Sequence, residues 1–259
     1  MGERRNVGIT ESLLPGFNSI TEEKIFAAFV AEVLLSFIIM FSILDYTSVL
    51  SSIAGVISLL AVVVIAVLIV QPFITYTVIS AYYKKIKKKK SRQLPEVYLK
   101  LISVMILQII IVAAPLLAIF SGMWVFFTLY GNTLLSGFGG GLFTIFVIAL
   151  GIVLSVFLEI KLIFSFQELI IKNKGVWDSI RYSYRGTKNK FWKLVWFAFI
   201  FGISAVIVNT AINYVFGYNG SQVPTILVYA SIFIESVIDS YISISLLVGI
   251  TDYFIKALN

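Results

Sequence analysis

Ser231, Glu235, Asp239 and Ser243 recur at every fourth position of an otherwise apolar stretch, with Ser236 and Ser240 beside them. On an α-helix that spacing stacks side chains along one ridge. Two carboxylates so placed could share a proton, hold a cation or meet a polar substrate. An acid at the centre of a bilayer costs roughly 2.5–3.5 kcal/mol on insertion scales, so it normally faces a bundle interior or a wet cavity. Asn209 and Asn213 are also four apart, on the preceding apolar stretch, and a short link joins the two stretches. Antiparallel packing across that link brings both amides to the depth of Glu235 and Asp239, because each helical residue rises ~1.5 Å. Three uses stay open for this cluster. It could be a proton, cation or substrate site; a set of interhelical hydrogen bonds; or a contact with a partner subunit.

Three further charges lie near the ends of apolar stretches: Glu32, Glu159 and Lys161. Residues two apart on a helix do not face each other, so Glu159 and Lys161 are not a simple pair. Lys161 is expected to snorkel to the interface or to reach Glu32, forming an interfacial salt bridge. Gln71-Pro72, Gln108 and Pro115 complete the intramembrane irregularities. A proline frees a carbonyl that neighbours must satisfy. Broken spans can mark a binding site, or give only shape.

The chain has no His and no Cys. Haem ligation, Cys/His zinc sites, copper sites and thiol redox need those side chains. The commonest acid–base residue is absent as well. No nucleophile elbow, P-loop or metal-ligand spacing is present. The glycines of 137–141 lack the Gly-Lys-Ser/Thr ending of a phosphate loop. These readings predict no enzyme, no catalytic residue, no metal and no cofactor.

The elements that would position these residues follow from hydropathy. Of 259 residues 59% are hydrophobic, and the mean hydropathy is +1.00. That is too little polar residue to coat a soluble protein, so lipid is the solvent. Continuous apolar runs exclude a β-barrel, whose strands alternate. The fold class predicted is all-α: a single domain, 1–259, made of an integral membrane bundle of about six helices plus an amphipathic surface helix. The spans fall at about 25–44, 53–83, 97–130, 142–166, 191–216 and 224–254, each long enough for the ~20 residues a bilayer requires. Residues 1–23 lack the order of a signal peptide and read as a cytoplasmic segment with a short turn near Leu13-Leu14. Thr21 reads as the N-cap of the first span, ahead of Glu22 and Glu23.

The connections at 45–52, 131–141 and 217–223 hold no Lys or Arg and a single acid, Asp45. The basic residues therefore gather on the opposite side, which the positive-inside rule makes the cytoplasm, with both termini there. One basic loop carries Lys84, Lys85, Lys87, Lys88, Lys89, Lys90 and Arg92. It suits anionic head groups or partner proteins, and equally serves as an orientation signal. Nucleic acid is possible in charge terms but lacks interleaved aromatics for stacking. The second loop, 167–190, holds the surface helix at about 175–187. Val176, Trp177, Ile180 and Tyr184 recur at helical spacing, with Asp178, Arg181, Arg185 and Lys188 on other faces. Trp177, Arg181 and Arg185 are thus further candidates for lipid or partner contact.

From Leu158 to Phe201 an apolar span runs into Phe166-Gln167-Glu168. Then come Gly175-Val176-Trp177-Asp178-Ser179-Ile180-Arg181-Tyr182-Ser183 and Asn189-Lys190-Phe191-Trp192. This pattern resembles the polytopic membrane-domain family related to the membrane part of some glycerophosphodiester phosphodiesterases, including archaeal-type stand-alone proteins. The basic loop and spans 3 and 4 fit the same layout. The resemblance implies a helical bundle with a surface helix and no assigned reaction, since that family's catalytic domain is absent here.

Together these features predict a multi-pass cell-membrane protein that is a non-enzymatic subunit, scaffolding or forming a passage in a larger assembly or homo-oligomer. A stand-alone transporter or channel for a small solute or ion, using Glu235 and Asp239, is the alternative. A channel component of a DNA-transfer or secretion machine is a weaker one. No inverted repeat of the transporter kind is evident.

Overall fold

The structure, a computed structural model, describes residues 9–45, 53–89, 91, 93–130, 138–215 and 225–258. Its regular elements there are helical: α1 (Ile9–Asn18), α2 (Glu23–Asp45), α3 (Ile53–Lys87), α4 (Leu94–Tyr130), α5 (Phe138–Leu162), α6 (Ser165–Ile170), α7 (Val176–Gly186), α8 (Phe191–Val215) and α9 (Thr225–Leu258). Among the described residues four helical segments are long and apolar enough to cross a membrane: Leu94–Val125, Thr144–Ile170, Phe191–Ile212 and Leu227–Ala257. Continuous helix is what lipid demands, because every backbone amide there must bond within its own segment.

Large apolar side chains lie on the outside. Ile110, Leu117, Phe146, Val153, Val206 and Ile207 are all exposed. In water such a surface would aggregate; in a bilayer it faces acyl chains. Trp124, Trp177, Trp192 and Trp196 are exposed as well, as interfacial anchors commonly are.

The interior is organised around α9, which packs against α1, α2, α3 and α8. α2 runs antiparallel to it, with Phe37 edge-on to Phe233 and Phe29 edge-on to Tyr241. Ile25, Ala28, Ile74, Val78, Ile244 and Val248 close the seam between α2, α3 and α9. Phe164, Leu194, Phe197, Phe201 and Phe254 close a second seam between the α5–α6 region, α8 and α9.

Three expectations need correction. Residues 9–18 are not a surface turn: α1 docks on α9, with Phe17 stacked on Phe201 and Tyr241. Gly16 makes that approach possible, because a Cβ there would lie 2.5 Å from the Ser245 carbonyl oxygen. Thr21 does not cap α2. Its hydroxyl donates to the Asn18 carbonyl inside a short 3-10 turn. Glu22, with extended backbone, precedes α2 instead and pairs with Lys85 at 2.7 Å. The fourth apolar run is also not one straight helix to 166. It breaks at 163–164 and re-enters as α6, whose Ser165, Gln167, Glu168, Leu169 and Ile170 are buried.

Gly16→Ala should wedge α1 off α9 and cost about 1–3 kcal/mol, read as a lower midpoint of thermal unfolding in detergent. Gly122→Ala is the control. Its Cβ would meet nothing within 4 Å, so stability should hold or rise slightly.

Candidate functional site

The break after α5 creates the first polar requirement. A helix ending inside the protein leaves carbonyls and amides without partners. Ser183 of α7 supplies both kinds of partner: its hydroxyl donates to the Lys161 carbonyl at 3.0 Å and accepts from the Phe164 amide at 3.0 Å. Thr187 lies one turn further on and is also buried. So α7 docks through Ser179, Ile180 and Ser183, with Thr187 just past its end. Trp177 is 64% exposed and Tyr184 46%. Small hydroxyls suit the buried face because they both donate and accept, whereas an indole N–H only donates.

Lys161 is buried at this junction. Its ammonium stands over the rings of Phe157, Tyr184 and Phe191, at 5.5, 5.2 and 5.3 Å. The expected salt bridge with Glu32 does not form. Quadrupoles of three rings take the cation instead.

A second polar layer joins α9 to α3 and α6. Asp252 is fully buried. The Tyr82 hydroxyl donates to its Oδ1 at 2.9 Å, and Lys256 Nζ sits 2.7 Å from its Oδ2. Beside it, the Gln167 amide donates to Thr251 Oγ1 at 3.3 Å. Glu168 pairs with Lys172 at 3.2 Å, and the Lys172 ammonium lies 4.8 Å from the Phe254 ring centroid. None of Tyr82, Gln167, Thr251 or Asp252 was singled out as a site from sequence. The available signal was an acid at the end of an apolar span next to an exposed basic one.

The third layer contains the cavity. A cleft of about 550 Å³ opens between α3, α4, α5, α6 and α9, within the size range of small-molecule sites. Gln71, Thr75, Gln108, Glu159 and Ser243 are its polar lining; Met105, Val112, Leu116, Leu246 and Ile250 are among its apolar lining. Glu32 stands behind this wall. Its carboxylate hydrogen-bonds the side chains of Gln71 and Ser243, it is 8% exposed, and its Oε2 has no hydrogen-bond partner. Gln108 Oε1 is likewise buried without a partner. Among the described residues no Lys or Arg lines it. One lining carboxylate, Glu159, with the amides and hydroxyls, suits a hydrogen-bonding guest, and no described lining cation opposes a cationic one.

The ridge on α9 is divided between two places. Asp239 receives a hydrogen bond from the Asn209 amide at 3.4 Å, and Glu235 is half-buried near it on the same helix. Ser231 is buried and donates to the Val228 carbonyl. Ser243 belongs to the Glu32 cavity instead. The side chain of Asn213 lies outside the described residues. Glu159 is exposed and faces the cavity rather than Lys161.

In the basic loop, Lys84, Lys85, Lys87, Lys88 and Lys89 are exposed. The first three form the last turn of α3, where the helix dipole favours cations. Lys88 then takes a left-handed conformation, φ 53°, and ends the helix. Lys90 and Arg92 lie outside the described residues.

Residues 140–258 match the membrane domain of glycerophosphoryl diester phosphodiesterase. This is the family whose pattern the Leu158–Phe201 stretch resembles, and the match runs from the first turn of α5 to the end of α9. It stops short of span 3 and the preceding basic loop, which the sequence layout had included. No curated protein and no solved structure matches the chain. The matched segment holds the α5–α6 break, the Ser183 dock and, apart from Tyr82 of α3, the Asp252 layer. It supplies only part of the cavity, whose α3 and α4 walls lie outside it.

Ser183→Ala leaves a buried amide and a buried carbonyl without their partner. It should cost about 1–3 kcal/mol, measured as loss of thermal stability in detergent. Ser204→Ala is the comparison. That hydroxyl is exposed and bonds only within α8, so the change there should be small.

Proposed function

We propose that this chain is a six-span, non-enzymatic membrane protein of the cell membrane, with both termini cytoplasmic, that binds a small organic cation in its central cavity and forms its passage. One observation carries the reading. A buried carboxylate, Glu32, is bonded to Gln71 and Ser243, which with Glu159 line a cleft of about 550 Å³ whose described lining holds no Lys or Arg. A buried ionisable group within a span is expensive, and the default reading of one at a cavity is functional. The mixed lining suits a guest with an apolar body and a hydrogen-bonding or cationic end. The phosphodiesterase activity in the matched family's name is not carried over, because the similarity is to its membrane domain alone.

Ethidium provides the probe, with fluorescence polarisation of purified protein as the readout. Glu32→Gln and Gln108→Leu should each weaken binding by about tenfold, ~1.4 kcal/mol. Anionic fluorescein should bind poorly to all forms. Equal ethidium affinity in wild type and both variants would discard the cavity as the site.

The half-buried Asn209, Asp239 and Glu235 favour a second reading, a membrane subunit whose partner covers this seam of α8 and α9. The discriminating quantity is the mass of the particle extracted in mild detergent. A larger particle should revert to the single-chain mass in the Glu235→Gln/Asp239→Asn double variant. A single-chain mass from the start would set this reading aside.

A further inference from the structure

Arg181 and Arg185 are one turn apart on α7, both exposed, and neither pairs with a carboxylate among the described residues. They share a pocket of about 360 Å³ with Trp177, Ile111 of α4, and Leu158 and Leu162 of α5. No acid lines it. The pocket is therefore two-sided in its chemistry: guanidinium at one edge, hydrocarbon at the other.

The two halves also face different surroundings. Ile110 and Leu154, neighbours of the apolar half on α4 and α5, are 56% and 42% exposed, on faces that look toward acyl chains. The arginine half sits on a helix docked where α5 ends and α8 begins, at the membrane face bearing the basic loops. Trp177, 64% exposed, lines the pocket from the same helix as the arginines, and amphipathic rings of this kind favour head-group depth. The Tyr184 ring, another wall of the pocket, rests on the buried Lys161 ammonium at 5.2 Å. Its place is thereby fixed before any ligand arrives, and α7 itself is held by Ser183.

We propose that this pocket is a specific site for an anionic phospholipid. Arg181 and Arg185 grip the head-group phosphate, and an acyl chain lies against Ile111, Leu158 and Leu162. Guanidinium groups match phosphate oxygens through paired N–H donors. A free phosphate would satisfy the arginines but leave the apolar half unused, so a lipid is the better occupant. The site is separate from the central cavity and shares no lining residue with it.

Native mass spectrometry of the full chain tests this, with phosphatidylglycerol or phosphatidylcholine added in mild detergent. Wild type should retain phosphatidylglycerol in preference to phosphatidylcholine. The Arg181→Gln/Arg185→Gln variant should lose about tenfold of that retention. Leu158→Trp, which fills the apolar half and leaves both arginines in place, should weaken it as well. Lys87→Gln/Lys89→Gln, changing exposed lysines outside the pocket, should leave it intact. Excess inorganic phosphate should fail to displace the lipid. The proposal is overturned by equal retention of both lipids, by equal losses in the lysine variant, or by retention unchanged in the arginine and Leu158 variants. Displacement by phosphate alone would make it a free-anion site and would also overturn it.

Discussion

Asp252 is a carboxylate held away from solvent near one end of α9, and the packing around it follows from how it is satisfied. Tyr82 reaches it from α3 and Lys256 from one turn along α9. The Lys256 ammonium also donates to the Glu11 carbonyl of α1 at 3.3 Å. One carboxylate thus ties three helices at the same level. Removing one partner of a buried ionic group typically costs about 3–5 kcal/mol, because the other is left uncompensated. The apolar seams on either side then close against a fixed register, with Tyr82 in the α2–α3–α9 seam and Tyr253 and Phe254 in the seam to α8.

Lipid explains the rest of the distribution. In hydrocarbon there is little drive to hide leucine, so side chains such as Ile110 and Val206 remain outside. What must be hidden or paired is polarity, both backbone and side chain. The polar groups accordingly gather in layers: the Ser183 dock, the Asp252 layer, and the Glu32 cavity. The Ser183 dock is closed. The other two keep buried acceptors without a hydrogen-bond partner, Gln167 Oε1 and Glu168 Oε2 around Asp252, and Glu32 Oε2 and Gln108 Oε1 at the cleft. The second pair adjoins a space large enough for a small guest.

The long helices were legible because apolar runs longer than a bilayer admit little else. The start of α3 at Ile53 and of α8 at Phe191 fell where composition changes. The Asn209–Asp239 contact followed from helical spacing and one short link. The α5–α6 break was not legible, since Ile160 to Ile170 reads as a continuous apolar run apart from Lys161, Ser165, Gln167 and Glu168. Only a partner 19 residues away, Ser183, makes a chain break at Phe164 affordable. The role of Glu32 was hidden for a similar reason. Its neighbours Gln71 and Ser243 come from helices far apart in sequence, and periodicity within one helix cannot report a meeting of three. The same limit hid the buried face of α7, because periodicity within that helix gives no sign that Ser183 answers the free backbone at Lys161 and Phe164.

The central claim is that the cavity beside Glu32 is a polar, hydrated site rather than space filled by lipid. The chain has no Cys, so single cysteines can be introduced without background. The measurement is the reaction rate of Gln108→Cys with a charged, membrane-impermeant thiol reagent in proteoliposomes. Ile110→Cys on the lipid-facing side and Lys87→Cys on the exposed helix end serve as references. A hydrated cavity predicts that Gln108→Cys reacts far faster than Ile110→Cys and is slowed by ethidium. A Gln108→Cys as inert as Ile110→Cys, with Lys87→Cys reacting normally, would contradict it.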